Sequence, residues 1–259
     1  MSEITRKALL RPTKVEYGDY ALNHVVGCSH GCKYPCYAYL NAKRYGTVGT
    51  YEEWCNPKLV TNALELLDVE LPKLKDKIKN VQLCFTTDPF MYKHYAISNT
   101  SYQLLRKING YGIPCTILTK GLLPIGDAMV MVSKNNYFGI SLVSLSEKFR
   151  SEYEPCASEY KLRIAHLREM SKQGFKTWVS IEPYPTPNVI AQDLAKILEQ
   201  IKFVDRIVFG RWNYNKLSRE YKDHKEFYNY CANQAIDFCK IHEIECIIKK
   251  GTITESEDD

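Results

Sequence analysis

Residues 27–39 read Gly-Cys-Ser-His-Gly-Cys-Lys-Tyr-Pro-Cys-Tyr-Ala-Tyr, which spaces the three thiols of Cys28, Cys32 and Cys36 four residues apart. On a helix that spacing would make a sulfur stripe along one face, ordinarily a core face. Three residues argue against a helix here. Pro35 lacks an amide hydrogen and pushes Tyr34 out of the α region, while Gly27 and Gly31 admit a positive φ. The stretch therefore predicts a loop whose three thiols can converge, and metal ligation is the natural use of such a loop.

Working outward, a β-rich run at 20–26 leads into this loop, and similar runs recur at 81–86, 113–118, 137–143, 177–182, 204–209 and 244–249. Helical patterns at 57–78, 98–110, 124–133, 158–173, 189–201 and 223–242 lie between them. Strands alternating with helices predict a parallel sheet, and seven such units in 259 residues predict a closed or nearly closed α/β barrel in a single domain. An open doubly wound sheet is the competing architecture, but no Gly-rich nucleotide fingerprint follows the first strand. The expected divisions are an N-terminal segment at 1–19, the barrel at 20–251, and an acidic tail at 252–259 that is expected to be mobile.

Barrel chemistry sits on the loops at the strands' C-terminal ends. Here those loops read GCSHGCKYPCY, TTDPF, TKG, SLVS, EPYP and GRWNYN, all with polar or ligand-capable groups. Composition, at 45% hydrophobic and 25% charged, excludes a disordered, collagen-like or disulfide-stapled chain. The polar, basic start and the lack of any run of 18 apolar residues predict a cytoplasmic chain that makes no membrane contact, with its other cysteines reduced. Net charge is +5, yet the last five residues carry four negative charges; over 1–254, 35 Lys and Arg stand against 26 Asp and Glu, a net +9. Such a body suits an anionic partner, although excess positive charge also serves solubility alone.

Two metal readings follow from the loop. Zinc could take the three thiolates with His30 as a closed site, although structural zinc usually pairs two distant sets of ligands and these thiols are all local. A four-iron, four-sulfur cube on three thiolates would instead keep one iron open, which is a catalytic arrangement.

Cys28-Ser-His-Gly-Cys32 followed by Cys36-Tyr-Ala resembles the cluster loop of radical S-adenosylmethionine (SAM) enzymes. The likeness is closest to the branch that includes spore photoproduct lyase, often labelled DNA repair photolyase-like. It continues through Thr86-Thr87-Asp88-Pro89, Leu118-Thr119-Lys120, Ser141, Tyr153-Glu154-Pro155 with Arg163, and Ser180-Ile181-Glu182-Pro183, and so spans about residues 20 to 250. The family's spacing is CxxxCxxC with an aromatic before the third cysteine. This chain has CxxxCxxxC, with Tyr34 as the aromatic and Pro35 as an extra residue.

The resemblance implies a partial (β/α)6-type barrel and a 4Fe–4S cluster on Cys28, Cys32 and Cys36. It further implies SAM chelated by the open iron and reduced by a low-potential electron donor to a 5′-deoxyadenosyl radical. That radical would abstract hydrogen from a substrate in a lyase- or transferase-type modification. Thr87 and Asp88 would lie beside the cofactor's amine or ribose, Lys120 would face its carboxylate, and Ser141 would add a hydrogen bond. Glu154, Arg163 and Glu182 would face the cavity, with a structural salt bridge as the plainer role for Arg163. His24 and His30 are given no catalytic part.

The sequence does not name the substrate. Tyr34, Tyr37, Tyr39, Tyr45 and Tyr51 around the loop, and the 211–216 run RWNYNK, mix aromatics with cations and favour nucleic acid. A peptide or small metabolite, or a zinc- or cluster-bearing binding protein without turnover, are the alternatives. In spore photoproduct lyase, as the resemblance has it, a cysteine three residues before the strand-end Asp returns hydrogen to thymine. Phe85 stands at that position here, and strand alternation predicts that the Cys84 thiol turns away from the cavity, which argues against that particular activity.

Overall fold

The computed structural model describes residues 2–14 and 18–254. Its strands are β1 (Ser2–Ile4), β2 (Leu10–Pro12), β3 (Tyr20–Leu22), β4 (Val25–Val26), β5 (Lys58–Val60), β6 (Val81–Leu83), β7 (Cys115–Thr119), β8 (Tyr137–Ser141), β9 (Lys176–Tyr184), β10 (Arg206–Arg211) and β11 (Glu245–Ile248). Its helices are α1 (Tyr37–Arg44), α2 (Tyr51–Cys55), α3 (Ala63–Leu74), α4 (Tyr95–Asn109), α5 (Glu147–Tyr153), α6 (Tyr160–Lys172), α7 (Leu194–Gln200), α8 (Lys216–Glu220) and α9 (His224–Ile241). The main sheet has eight strands in the order β11-β10-β9-β8-β7-β6-β3-β2. Every neighbouring pair is parallel except β2–β3. This is the mostly parallel α/β sheet that the strand–helix alternation predicts.

Alternation along each strand creates two faces. Cys115 and Ile117 of β7, Phe138 and Ile140 of β8, and Val179 and Ile181 of β9 join the core against the helices. The next residues along, Leu118, Ser141 and Ser180, face the inside of the curved sheet and line a cavity. The helices complete the outer layer with one apolar face each. In α4, Ile97, Ser101, Leu104, Leu105 and Ile108 are buried, and in α6 the buried set is Tyr160, Arg163, Ile164, Leu167 and Met170. Each fully buried Leu or Ile contributes about 1.5–3 kcal/mol. Gly174, at φ 79°, ends the α6 segment in the left-handed region.

Below the cavity the interior is packed. A Cβ at Gly139 would meet Trp178 Nε1 at 2.3 Å, so the missing side chain makes room for the indole of the next strand. That indole is fully buried and donates to the Ile117 carbonyl at 2.9 Å.

The structure departs from the expected elements on the cysteine side. The run at 20–26 divides: β3 stays in the main sheet, while β4 leaves it to pair antiparallel with β5. Side-chain bonds fix the break, since Asn23 Oδ1 accepts from the Thr86 N–H and hydroxyl, each at 2.9 Å, and the His24 ring is buried. The helical pattern at 57–78 begins as β5 and becomes helix only at α3, and the pattern at 124–133 is a 3-10 turn over Asp127–Met131. From the N-terminal segment, β1 pairs parallel with β5, giving a small sheet in the order β1-β5-β4. Of the expected tail, Thr252 is buried and the Thr254 N–H donates to Asn229 Oδ1 at 2.8 Å; residues 255–259 lie outside the described residues. Among the described residues no helix is long and apolar enough to cross a membrane.

Candidate functional site

The C-terminal ends of β6 to β11 and the cysteine loop surround a cavity of about 420 Å³. All seven residues singled out in the sequence, Cys28, Cys32, Cys36, Thr87, Asp88, Lys120 and Ser141, line it. The cysteine segment is a loop, with Gly27 at φ 91°, Gly31 at φ 64°, and Cys36 as the extended residue that opens α1. Gly27 has a further constraint, because a Cβ there would lie 2.5 Å from the Trp54 carbonyl. That carbonyl accepts from the Cys28 N–H at 2.8 Å, and the Tyr51 hydroxyl donates to the Cys32 carbonyl at 2.6 Å. The loop backbone is thus tied to α2, and its three thiols are unbridged. Burial pushes the Cys32 thiol up to about 12 and raises that of Cys28. Metal binding would reverse this, because a cation favours the thiolate. Among the described residues no three His, Cys, Asp or Glu side chains stand close enough to hold a single ion.

His30 and Asp88 lock the loop to the end of β6. His30 Nε2 accepts from the Tyr92 N–H at 3.0 Å, so Nδ1 carries the proton and faces Asp88 Oδ2 at 3.5 Å. With both ring nitrogens engaged, His30 is not poised to complete a three-cysteine zinc site. Burial lowers its pKa to about 4. Asp88 is equally committed. Its Oδ1 accepts from the Phe90 N–H at 2.9 Å and the Thr119 hydroxyl at 2.6 Å, and its Oδ2 accepts from the Lys120 N–H at 2.7 Å. The Asp-Pro turn and the β7 end are buckled together by this one carboxylate. The Thr87 hydroxyl reaches the Val25 carbonyl at 3.4 Å.

Behind Lys120 lies a buried charge set. Glu154 is fully buried; Arg163 Nη2 donates to its Oε2 at 2.7 Å, and the Tyr34 hydroxyl to its Oε1 at 2.8 Å. Lys120 Nζ lies 3.4 Å from the same Oε1 and 5.5 Å from the Tyr34 ring centroid. Burial alone would raise the Glu154 pKa, but Lys120 and Arg163 outweigh it and hold the carboxyl at about 2. Two cations therefore share the Glu154 carboxylate, and the Asp88 carboxylate accepts from the Lys120 N–H beside them. Arg163 has the structural role, since its Nη1 also donates to the Ser141 carbonyl at 2.9 Å.

The aromatic residues sort differently from the stacking surface the sequence suggests. Trp212 is buried, with its ring centroid 5.6 Å from those of Tyr34 and Tyr153. Tyr39 packs edge-on against Tyr51 at 5.1 Å. Lys216 pairs with Glu220 on the outside of α8. Tyr37 and Tyr214 remain on the cavity wall, with Tyr214 68% exposed.

Cys84 departs from strand alternation. The β6 ladder ends at Leu83, and Cys84 turns to φ 56° while its N–H donates to the Leu22 carbonyl at 2.6 Å. Alternation fails at that residue, and both Cys84 and Phe85 line the cavity. The thiol packs with buried Val25, Met91 and Ile97 and lies 3.2 Å from His24 Nδ1, so the backbone turn at Cys84, rather than strand alternation, sets its direction. Gln82, Glu182, Arg211 and Lys249 also line the cavity. Gln82 was legible as the one polar residue between Val81 and Leu83 but was not singled out.

No family model matches the sequence. The uncharacterized protein ORF301 of Acidianus two-tailed virus is 28% identical over 217 residues, covering 76% of this chain and 69% of that one. A spore photoproduct lyase mutant with bound AdoMet and dinucleoside spore photoproduct superimposes with TM-score 0.68 at 12% identity, over 95% of this chain and 80% of that one. SuiB of Streptococcus suis bound to S-adenosylmethionine gives TM-score 0.51 at 17% identity, over 71% of this chain and 41% of that one. Both neighbours are radical SAM enzymes. The chain has the partial barrel fold of radical SAM enzymes. On this barrel the three thiols follow β4, and Lys120 and Ser141 stand at the ends of the β7 and β8 segments.

Proposed function

We propose that this protein is a radical SAM enzyme that modifies nucleic acid. The observation that carries the reading is the meeting of three unbridged thiols with the Lys120 ammonium in one cavity. The donor set fits a 4Fe–4S cluster held by Cys28, Cys32 and Cys36, because the loop is tied at its backbone and leaves the thiols on the cavity wall. Bound there, the cluster and SAM would supply a reducing electron and a source of a carbon radical.

The chain's own residues bind and orient. Lys120 holds the cofactor's carboxylate, with Glu154 fixing the ammonium and, through Tyr34, the cysteine loop. Asp88, with both oxygens taken by the chain's donors, positions Lys120 and the Thr87 turn rather than meeting the cofactor amine alone. Ser141 and Thr87 contribute hydroxyls from the neighbouring strand ends. Nucleic acid is favoured over peptide because the lyase neighbour that holds a dinucleoside covers 95% of this chain, whereas SuiB bound to its precursor peptide covers 70%. The basic body and the Arg211, Tyr214 and Lys249 wall support the same choice.

Anaerobic reconstitution should give a brown protein that forms 5′-deoxyadenosine from SAM when dithionite is added. Replacing Cys28, Cys32 or Cys36 by Ala should abolish both colour and product, whereas Cys231→Ala should retain them. A colourless protein with one firmly held zinc and no iron uptake would overturn the reading.

A further inference from the structure

Gln82 lines the cavity with a side-chain oxygen that has no hydrogen-bond partner among the described residues. It sits between Val81 and Leu83, which face the core, so its side chain turns inside the sheet. It is nearly fully buried, at 2% exposure. Buried polar atoms are as a rule partnered, and an apolar side chain would pack at this position without any such cost. A carboxamide on a cavity wall whose oxygen has no partner among the described residues points to a ligand that brings the missing donor.

We propose that Gln82 is the floor of a nucleobase subsite and pairs its carboxamide with a base edge carrying an N–H beside an acceptor. The proposal rests on the reading of this cavity as the substrate cavity of a radical enzyme. A carboxamide presents a donor next to an acceptor, and it matches an edge with the same pair reversed. Peptide amides and nucleobases both offer such edges. The walls decide between them. Tyr37 and Phe85, with ring centroids 6.0 Å apart, give the cavity aromatic faces suited to a planar ring. Arg211 and Lys249 on the cavity lining outnumber the carboxylate of Glu182 and suit a phosphate. An extended peptide has neither the planar ring nor the regular negative charge.

The test uses the cluster-loaded protein with SAM, a short oligothymidylate, and the same oligomer methylated at N3, with affinity measured at low salt. The unaltered protein should bind the unmethylated oligomer about tenfold more tightly, because methylation removes the N–H that Oε1 accepts. Gln82→Leu and the closer-shaped Gln82→Met should lose that preference while keeping iron content and SAM affinity. The methylation effect on the unaltered protein is informative even if neither variant folds. Equal binding of the two oligomers, no binding of either, or a preference that survives in a folded Gln82 variant would overturn the subsite. So would competition by an acetylated glycine peptide amide that depends on Gln82, which would assign the floor to a peptide. Failure of the radical reading is seen separately, as missing 5′-deoxyadenosine with the methylation preference intact.

Discussion

On the cysteine side of the cavity, buried polar side chains are tied to one another across long stretches of chain, whereas at the end of β10 the long-range bonds hold the backbone, as from the Arg211 N–H to Thr252, and the side chains are more exposed. Tyr34 reaches Glu154 120 residues away, and Asp88 gathers donors from Phe90, Thr119 and Lys120. At the end of β10, Arg211 Nε donates to Asn213 two residues on, and Tyr214 is 68% exposed at φ 62°. A wall fixed by interlocking bonds suits a small ligand of constant charge, since preorganisation fixes its position before it arrives. A wall of exposed rings and cations suits a larger ligand whose shape varies. On the proposed function, the first wall would take the cofactor and the second the substrate.

The largest expected effect comes from cutting the interlocked wall. Glu154→Gln leaves Arg163 buried without its counter-charge, and the expected loss is about 3–5 kcal/mol in urea denaturation. Tyr214→Ala on the other wall should shift stability by less than about 0.5 kcal/mol. Similar losses in both variants would break the comparison. A smaller effect separates the ligands. Lys120→Ala should weaken SAM binding about tenfold, the loss of one hydrogen bond to a charged group, with oligonucleotide binding unchanged. Arg211→Ala should do the reverse and lower the salt slope of oligonucleotide binding by about one. Crossed effects would mean that one ligand spans both walls.

A pH dependence from His24, read as a slope, tests the same wall in another way. Ser101 Oγ donates to the Pro89 carbonyl, so His24 Nε2–H donates to Ser101 at 2.8 Å and Nδ1 is left to accept from Cys84. Burial lowers the His24 pKa from 6.5 to about 3. The unfolded chain therefore takes up the proton first. The stabilising contribution is complete above pH 6.5 and declines as pH falls toward about 3. Across that window His24 should contribute a slope of about 1.4 kcal/mol per pH unit, and a folded His24→Gln variant should lose it in thermal unfolding curves.

The parts of the molecule legible in sequence are those with short-range causes. Gly27, Gly31 and Pro35 forbid a helix locally, and β-branched runs such as 137–143 mark strands, so the cysteine loop and the main sheet could be read. What could not be read depends on distant partners. The β4–β5 pairing is two residues long and joins segments more than thirty positions apart, with no periodicity to announce it. Trp212 looks like a stacking residue in RWNYNK until Tyr34 and Tyr153 enclose it. Asp88 looks like a ligand-facing carboxylate until Thr119 and Lys120 supply its donors. Cys84 defeats the alternation argument through one backbone angle that its residue type gave no reason to expect.

The chain has three tryptophans, and each belongs to the cavity's surroundings: Trp54 on the wall, Trp178 beneath it, and Trp212 behind Tyr34. All three are buried, so their emission is shielded from solvent quenching. An iron–sulfur cluster absorbs broadly across the near-ultraviolet and blue, where indoles emit. If the thiol loop takes up iron as proposed, the placement of these rings would make the protein its own optical gauge: light from the indoles would dim as iron enters and return when a chelator withdraws it.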